Sequence, residues 1–245
     1  MRVWTRYAAT AALVLTATTG CGGGSDSGGA AHARPFSEQS VGAVLKAARA
    51  DMRSLKAARI TGTTTGSNGQ QEILDIQADR RGHCRGTITE SGIGGATFLA
   101  TNGKVWLKGD VAYLAEQMSS YARAESILRR MHNRWLEVDG GEIGSWCDLD
   151  HYVSSNEKLI RSHNREVKGV GEVAGEKAVL VASHKDGNQL TVWVAETSPH
   201  YFLRVALSDQ AGSDLVAVSF SKFDEPLEVE APPPSQVLRI GGSRA

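Results

Sequence analysis

Three runs of sequence decide the fold of this chain: Gln189-Leu-Thr-Val-Trp-Val-Ala195, Tyr201-Phe-Leu-Arg-Val-Ala-Leu207 and Leu215-Val-Ala-Val-Ser-Phe-Ser-Lys-Phe223. Each run has the length of a strand and is rich in β-branched and aromatic residues. Alternate positions are apolar, namely Leu190, Val192 and Val194, then Leu203, Val205 and Leu207, then Val216, Val218 and Phe220. This period of two predicts antiparallel strands with one apolar face, which other parts of the chain must cover, and one mixed face.

Further strands are predicted on both sides of these runs. They cover Arg59–Thr65, Glu72–Ala78 and His83–Thr89, a hairpin over Thr97–Lys108 that turns at Asn102-Gly103, and strands from Glu166 to His184. Pro226 and the run Pro232–Pro234 are expected to end the sheet, because proline cannot donate to a strand ladder. Residues 236–245 are then predicted to form a disordered tail.

Helices are predicted before and between these two groups of strands. Ser37–Leu55 has apolar residues at three-four spacing, with Ser37 as its N-cap. Asp110–Met118 is a short amphipathic segment, and Trp146–Val153 is predicted to be a further short helix. Between them a stripe repeats at three-four spacing: Tyr121, Ala124, Leu128, Met131 and Trp135, with Ile127 beside it. The order of helix, strands, helices and strands predicts an α+β fold, with residues 36–235 as one domain.

The N-terminus carries an export signal. Arg2 and Arg6 precede the apolar run Tyr7–Ala17, small residues follow, and Cys21 comes next. This arrangement resembles a bacterial lipobox, in which residues 1–20 are removed and Cys21 is acylated, whereas an ordinary secretory signal followed by a chance cysteine is the alternative. Residues 21–35 are rich in glycine and serine and predict a flexible tether. We therefore expect a protein held by lipid at the outer face of the cell membrane.

Charge and cysteine content further restrict the classes of protein to which the chain can belong. The chain has 27 basic and 27 acidic residues, so removal of Arg2 and Arg6 leaves a net charge of −2, which argues against a nucleic-acid binder. With Cys21 acylated, Cys84 and Cys147 remain, and two cysteines in an oxidising compartment favour a disulfide. A reactive thiol at Cys84 beside His83 is the alternative, but adjacent residues of a strand point to opposite faces.

Motifs of catalysis or metal binding are not found in the sequence. There is no Gly-x-Ser-x-Gly, His-Glu-x-x-His, Cys-x-x-Cys or P-loop pattern, and the seven histidines show no ligand spacing. Asp148 and Asp150, beside His151, are best interpreted as acidic residues at a helix start. The sequence therefore predicts a protein without catalytic residues, metal or cofactor.

The C-terminal runs resemble the closing strands of the actinobacterial LppX/LprG-type lipoproteins, which share their fold with the LolA and LolB lipoprotein carriers. The resemblance is carried by Val192-Trp-Val194, Tyr201–Val205, Val216–Phe223 and Pro226–Pro232, and Gly103–Gly109 and Trp135–Val138 suit the same pattern. It implies a curved antiparallel sheet, a half-barrel, wrapped around helices on its concave face. It also implies an apolar cavity between sheet and helices that takes up an acylated lipid.

Two functions from different classes fit these patterns. The first is a lipid carrier or chaperone, whose cavity we expect to be lined by Phe98, Trp106, Tyr113, Leu114, Ile127, Leu128 and Met131. The second is a sensor or interaction module with a filled cleft, in which a protein of the envelope docks on the mixed face around Trp193, Phe202 and Arg204. Cavity volume distinguishes them, because a lipid site should exceed about 300 Å³ and be mostly apolar.

Overall fold

A twelve-stranded sheet forms the framework of the described chain. The computed structural model describes residues 34–66, 68–118, 120–131, 133–139, 141–160 and 165–239. The predicted signal peptide, the predicted acylation site Cys21 and all but the last two residues of the predicted tether lie outside these ranges. Within the described residues, none of the helices is both long and apolar enough to cross a membrane.

The elements follow the predicted order of helix, strands, helices and strands. They are α1 (Val41–Ser54), β1 (Ala57–Thr65), β2 (Gln71–Asp79), β3 (Cys84–Glu90), β4 (Gly94–Thr101), β5 (Lys104–Gly109), α2 (Val111–Met118), α3 (Tyr121–Met131), β6 (Trp135–Val138), α4 (Gly141–Trp146), α5 (Leu149–Ile160), β7 (Arg165–Val173), β8 (Glu176–Lys185), β9 (Asn188–Ala195), β10 (Phe202–Ser208), β11 (Asp214–Ser221) and β12 (Val237–Arg239). The predicted α+β class is confirmed.

The strands lie in the order β12-β6-β5-β4-β3-β2-β1-β11-β10-β9-β8-β7. An N-terminal meander and a C-terminal meander therefore meet at one seam, where β1 pairs with β11 in antiparallel register and Arg59 lies opposite Ser221. The sheet stays open, with β12 and β7 at its two edges.

Two apolar clusters cover one face of this sheet, which we call the inner face. In the first, α1 and α5 pack on β8–β11 and β1 through residues such as Leu45, Met52 and Phe202. In the second, α2 and α3 pack on β2–β6 through residues such as Tyr113 and Phe98. The predicted arrangement of an open sheet around helices is thus confirmed, and we call the opposite side of the sheet the outer face.

The end of the chain differs from the predicted disordered tail. Val237–Arg239 form strand β12, which pairs with β6 in parallel, so the sheet is mixed rather than wholly antiparallel. The prolines do interrupt strand pairing as expected, but the apolar Leu238 beyond them packs against the second cluster. Arg239 adds a contact of 3.1 Å from its Nε to Glu137. Residues 240–245 lie outside the described part.

Three helix boundaries were predicted wrongly. Helix α1 is capped by Ser40, whose Oγ accepts a hydrogen bond from the backbone N–H of Ala43 at 3.3 Å, and not by Ser37, which lies in a 3-10 turn. Helix α3 ends at Met131 because Asn133 adopts a left-handed φ of 64°, so Trp135 belongs to β6 rather than to the helical stripe. The predicted helix Trp146–Val153 is instead two helices, with Cys147 in the turn between them.

A segment that we call the C-terminal strap, residues 222–233, joins β11 to the distant β12. Its start is fixed to the beginning of β1: Asp224 donates its backbone N–H to Ala57 O at 2.8 Å and accepts the backbone N–H of Lys56 at 2.6 Å. Further on, Arg81 Nη2 donates to Leu227 O at 3.2 Å, and Leu227 is buried. The strap therefore crosses the ends of β1 and β2 in a defined position.

Candidate ligand-binding site

A continuous apolar row crosses the inner face from one meander to the other. Strand register places its members side by side: Phe220, Ile60, Ile76, Gly86, Phe98, Leu107, Leu136 and Leu238. Because successive residues of a strand alternate between faces, this row fixes which side of these eight strands faces the helices.

Six of the seven predicted cavity residues come together in the second cluster. Phe98, Tyr113, Leu114, Ile127 and Met131 are buried there, and Leu128 is half-buried against them. Part of this cluster is closely packed, because a Cβ placed on Gly109 would lie 3.2 Å from Leu114 Cγ and 3.3 Å from Tyr113 Cδ1. Their role as ligand contacts stays a prediction.

Trp106 does not join these residues. Its neighbours Val105 and Leu107 belong to the second cluster, so alternation along β5 turns Trp106 to the outer face, between Leu99 and Glu137. The indole is 4% exposed, and its Nε1 has no hydrogen-bond partner among the described residues. This position does not suit the predicted role in an inner-face cavity.

The central strands carry an apolar surface that sequence reasoning missed, and we call it the central groove. Gly62 of β1 lies opposite Val218 of β11 on one side and Leu74 of β2 on the other. Val218 packs against the first cluster and Leu74 against the second, and all three residues are only half-buried. The groove therefore lies where the two helix-covered halves of the inner face meet.

A methyl group would fit on Gly62, in the middle of this groove. A Cβ placed on Gly62 would meet Ala217 O at 3.5 Å and Val218 Cγ2 at 3.6 Å, which are ordinary van der Waals distances. The adjoining row continues the floor with the half-buried Leu207 and Val216. One indication of this feature is present in the sequence: Gly62 interrupts a run of β-branched residues, and a glycine inside a strand often marks a place where another group approaches the backbone closely.

Tyr152 of α5 connects the two clusters, since it packs against both. Burial raises the pKa of its phenol far above the usual range, and the negative charge of Glu72 on β2 adds to the effect. The phenol is therefore uncharged at physiological pH.

The Cys84–Cys147 disulfide is confirmed, and it positions α5 over the sheet. It joins β3 to the α4–α5 turn with a Cα–Cα distance of 5.4 Å. Asp148 then caps α5, as expected of an acidic helix start: its Oδ1 accepts the backbone N–H groups of Asp150 at 2.9 Å and His151 at 3.1 Å. Arg80 adds a link, because it donates from Nε to Leu55 O at 2.5 Å and pairs with Asp150.

A cavity of about 310 Å³ opens beside this disulfide. Ala100, Val105, Cys147 and Leu149 form apolar walls, and charged residues including Arg80, Lys104 and Asp150 surround them. Its volume reaches the lower end of the range for small-molecule sites. It lies at the end of the inner face away from α2.

The mixed outer face differs from the prediction at Phe202. A β-bulge between Phe202 and Arg204 turns Phe202 to the inner face, where it is fully buried, and places Leu203 with Trp193 on the outer face. The guanidinium of Arg204 lies 5.5 Å from the Trp193 ring and pairs with Asp214 at 2.7 Å. These intramolecular contacts account for the half-buried Trp193.

The histidine beside Cys84 also has a structural role. His83 Nδ1 lies 3.1 Å from Asp79 Oδ2, and the 4% exposed Asp79 accepts the backbone N–H groups of Arg81 and His83 at 2.8 and 3.0 Å. Burial of Asp79 opposes ionisation, but these hydrogen bonds outweigh it and lower the pKa of the carboxyl. Among the described residues, no group of three or more His, Cys, Asp and Glu side chains could hold a metal ion.

Comparison with known proteins identifies the fold. LprF from Mycobacterium bovis superimposes with a TM-score of 0.53 at 13% identity, over 78% of this chain and 95% of that one. The predicted resemblance to LppX/LprG-type lipoproteins is therefore confirmed at the level of the fold. No protein-family model and no curated protein matches the chain.

Two other solved structures are more distant. A putative outer membrane lipoprotein-sorting protein domain from Vibrio parahaemolyticus has a TM-score of 0.25 at 10% identity, over 75% of this chain and 93% of that one. The MucA/MucB complex of Pseudomonas aeruginosa has a TM-score of 0.35 at 14% identity, over 79% and 59%. At these TM-scores neither likeness carries an argument.

Proposed function

We propose that this chain is a lipid-anchored envelope protein that binds an apolar or acylated lipid between its sheet and its helices, as a lipid carrier or chaperone. The observation that carries the proposal is the central groove: Gly62, Leu74 and Val218 form a half-buried apolar floor where the two clusters meet. An apolar surface that stays partly exposed in the middle of a sheet is typical of a site that an apolar ligand covers.

The chemistry of the groove suits an acyl chain. Its floor is aliphatic, and each methylene removed from water contributes about 0.8 kcal/mol. Tyr152, which packs against both clusters, adds an uncharged aromatic side chain where the two halves of the inner face meet. The cavity of about 310 Å³ beside the disulfide supplies a further apolar recess.

The proposal is tested by a substitution that fills the central groove with a larger side chain. Gly62→Leu adds four carbons above the floor, and the first of them, the Cβ, would meet no atom closer than 3.5 Å. Displacing about four methylenes of ligand should weaken uptake of a fluorescent fatty-acid probe by roughly 3 kcal/mol, or about a hundredfold. Thr63→Leu is the matched control, because the neighbouring residue of the same strand faces the outer side.

The proposal requires that Gly62→Leu lower uptake while Thr63→Leu leaves it unchanged, with both variants folded. Equal uptake by both would show that the probe does not occupy the groove. A large loss of stability in Gly62→Leu would show that helices fill the space, which would favour an interaction module with a filled cleft. Native mass spectrometry of the exported Cys21→Ser chain, followed by organic extraction, would identify a co-purifying ligand.

The anchor is tested at Cys21, which lies outside the described residues. Cys21→Ser should give a soluble exported form or an uncleaved precursor. Mature Cys21→Ser protein that remains on membranes after a salt wash would contradict lipid anchoring.

A further inference from the structure

A second depression, of about 390 Å³, opens on the outer face of the sheet. Strand register places Arg59 opposite Gln77, and Gln77 opposite Arg85, along one of its rows. Thr87 and Thr97, which lie opposite each other, form a floor of short side chains between longer ones. The volume is within the range of small-molecule sites. It is separate from the central groove because the sheet lies between them.

The lining of this depression has an excess of positive charge. Arg59, Arg85 and Lys222 face a single carboxylate, Asp75, which gives a net charge of +2. Arg59 holds Asp75 in a bidentate pair, with Nε to Oδ1 at 2.8 Å and Nη2 to Oδ2 at 2.6 Å. This hydrogen bonding keeps the pKa of Asp75 below its usual range, so the carboxylate stays charged and holds the Arg59 guanidinium in place.

Hydrogen-bond donors remain free around the depression. Arg85 uses Nε to donate to Gln77 Oε1 at 2.8 Å, and within the described ranges its Nη nitrogens have no ion-pair partner. The Arg59 pair with Asp75 leaves Nη1 unused. Lys222 lies near enough to Asp75 to lower the pKa of that carboxyl, but it makes no ion pair among the described residues.

The C-terminal strap fixes the position of Lys222. Lys222 adopts a left-handed φ of 51° at the start of the strap, and two residues later Asp224 bonds to the beginning of β1. A smaller cavity of about 90 Å³ continues beneath the strap and adds Glu225 to its lining. Arg59 of β1, Arg85 of β3 and Lys222 of the strap thus converge on the larger depression, and of these three cations only Arg59 has an ion-pair partner among the described residues.

We propose that this depression binds the phosphate group of a small phosphorylated compound or of a lipid head group. A phosphate monoester carries up to two negative charges, which match the net charge of the lining, and its oxygens accept hydrogen bonds from arginine and lysine. Leu99 and the methyl groups of Thr87 and Thr97 lie beside the charges and suit the uncharged part of the ligand. This site is independent of the inner-face lipid proposed above.

The experiment uses the exported chain with Cys21→Ser, so that no attached acyl chain contributes to membrane binding. Inorganic phosphate and glycerol 3-phosphate are titrated by calorimetry at low salt. Co-sedimentation is measured with vesicles of phosphatidylglycerol in phosphatidylcholine and of phosphatidylcholine alone. Arg85→Gln and Lys222→Asn each remove one positive charge, and asparagine tolerates the left-handed backbone at position 222. Lys185→Gln, an exposed lysine at the β8–β9 turn, is the matched control.

Loss of one charge-assisted contact should weaken binding by about tenfold or more in Arg85→Gln and in Lys222→Asn, with no change in Lys185→Gln. If this pattern appears with the soluble phosphates, the ligand is a phosphorylated small molecule. If it appears only with the phosphatidylglycerol vesicles, the ligand is a lipid head group. Absence of binding to every probe, or an equal loss in Lys185→Gln, would overturn the proposal.

Discussion

Two glycines of the inner face should respond in opposite ways to the same added methyl group. At Gly86 of β3, a Cβ would lie 2.5 Å from Asp75 O, 2.9 Å from Phe98 Cζ and 3.1 Å from Ile76 Cα. Two of these atoms are backbone, and Phe98 is fully buried, so none of them can move at little cost. Gly86→Ala should therefore lower the free energy of unfolding by about 1–3 kcal/mol, as overpacking does in other cores.

At Gly62 the same substitution meets no atom closer than 3.5 Å, and the backbone does not require glycine. Gly62→Ala should leave stability unchanged or raise it by about 0.4–1 kcal/mol, because alanine restricts the unfolded chain. Urea unfolding followed by tryptophan fluorescence, without reductant, measures both variants against the parent. A neutral Gly86→Ala, or a Gly62→Ala that is the less stable of the two, would refute the packing described for these strands.

Two further predictions concern stability. Replacing Cys84 and Cys147 together by serine should lower the free energy of unfolding by about 4 kcal/mol, because the disulfide closes a loop with a sequence separation of 63 residues. Thiol labelling of the denatured, unreduced parent protein should find neither cysteine free. Labelling of two thiols per chain would contradict the disulfide. The pKa of Asp79 is lower in the folded than in the unfolded chain, so the ionised carboxylate stabilises the fold. This contribution should be complete above the unfolded-state pKa of about 3.9 and should be lost as the pH falls through the folded-state pKa. Asp79→Asn should lower the free energy of unfolding by about 1–3 kcal/mol at neutral pH and should weaken its dependence on pH below about pH 4. An unchanged pH dependence in this range would contradict the role given to Asp79.

The fold could be predicted because its signals are local. Alternation in the three C-terminal runs identified strands, and Asn102-Gly103 identified a hairpin turn in which both residues have positive φ, 52° and 71°. The disulfide followed from cysteine count and compartment. Each of these inferences needs only residues that are close in sequence, or a count.

The candidate site was harder to predict because it depends on strand pairing over long distances. The central groove exists only because β1 pairs with both β2 and β11, which brings Leu74 and Val218 to the two sides of Gly62. Alternation also failed at Phe202, because one bulged residue exchanged the faces of the start of β10. Trp106 was predicted to line the cavity, although its strand neighbours Val105 and Leu107 occupy the inner face.

The seam between β1 and β11 sets the order in which the domain can be completed. β1 is among the first strands to be made, yet one of its two partners follows near the end of the chain. Such distant pairing predicts slow folding. In a chain that crosses a membrane N-terminus first, the N-terminal meander would emerge with one edge of β1 unpaired, and an unpaired edge readily joins the strand of another molecule. Pairing of β11 is therefore the step that covers this edge of β1, and truncations that remove residues 214–221 should aggregate rather than fold partially.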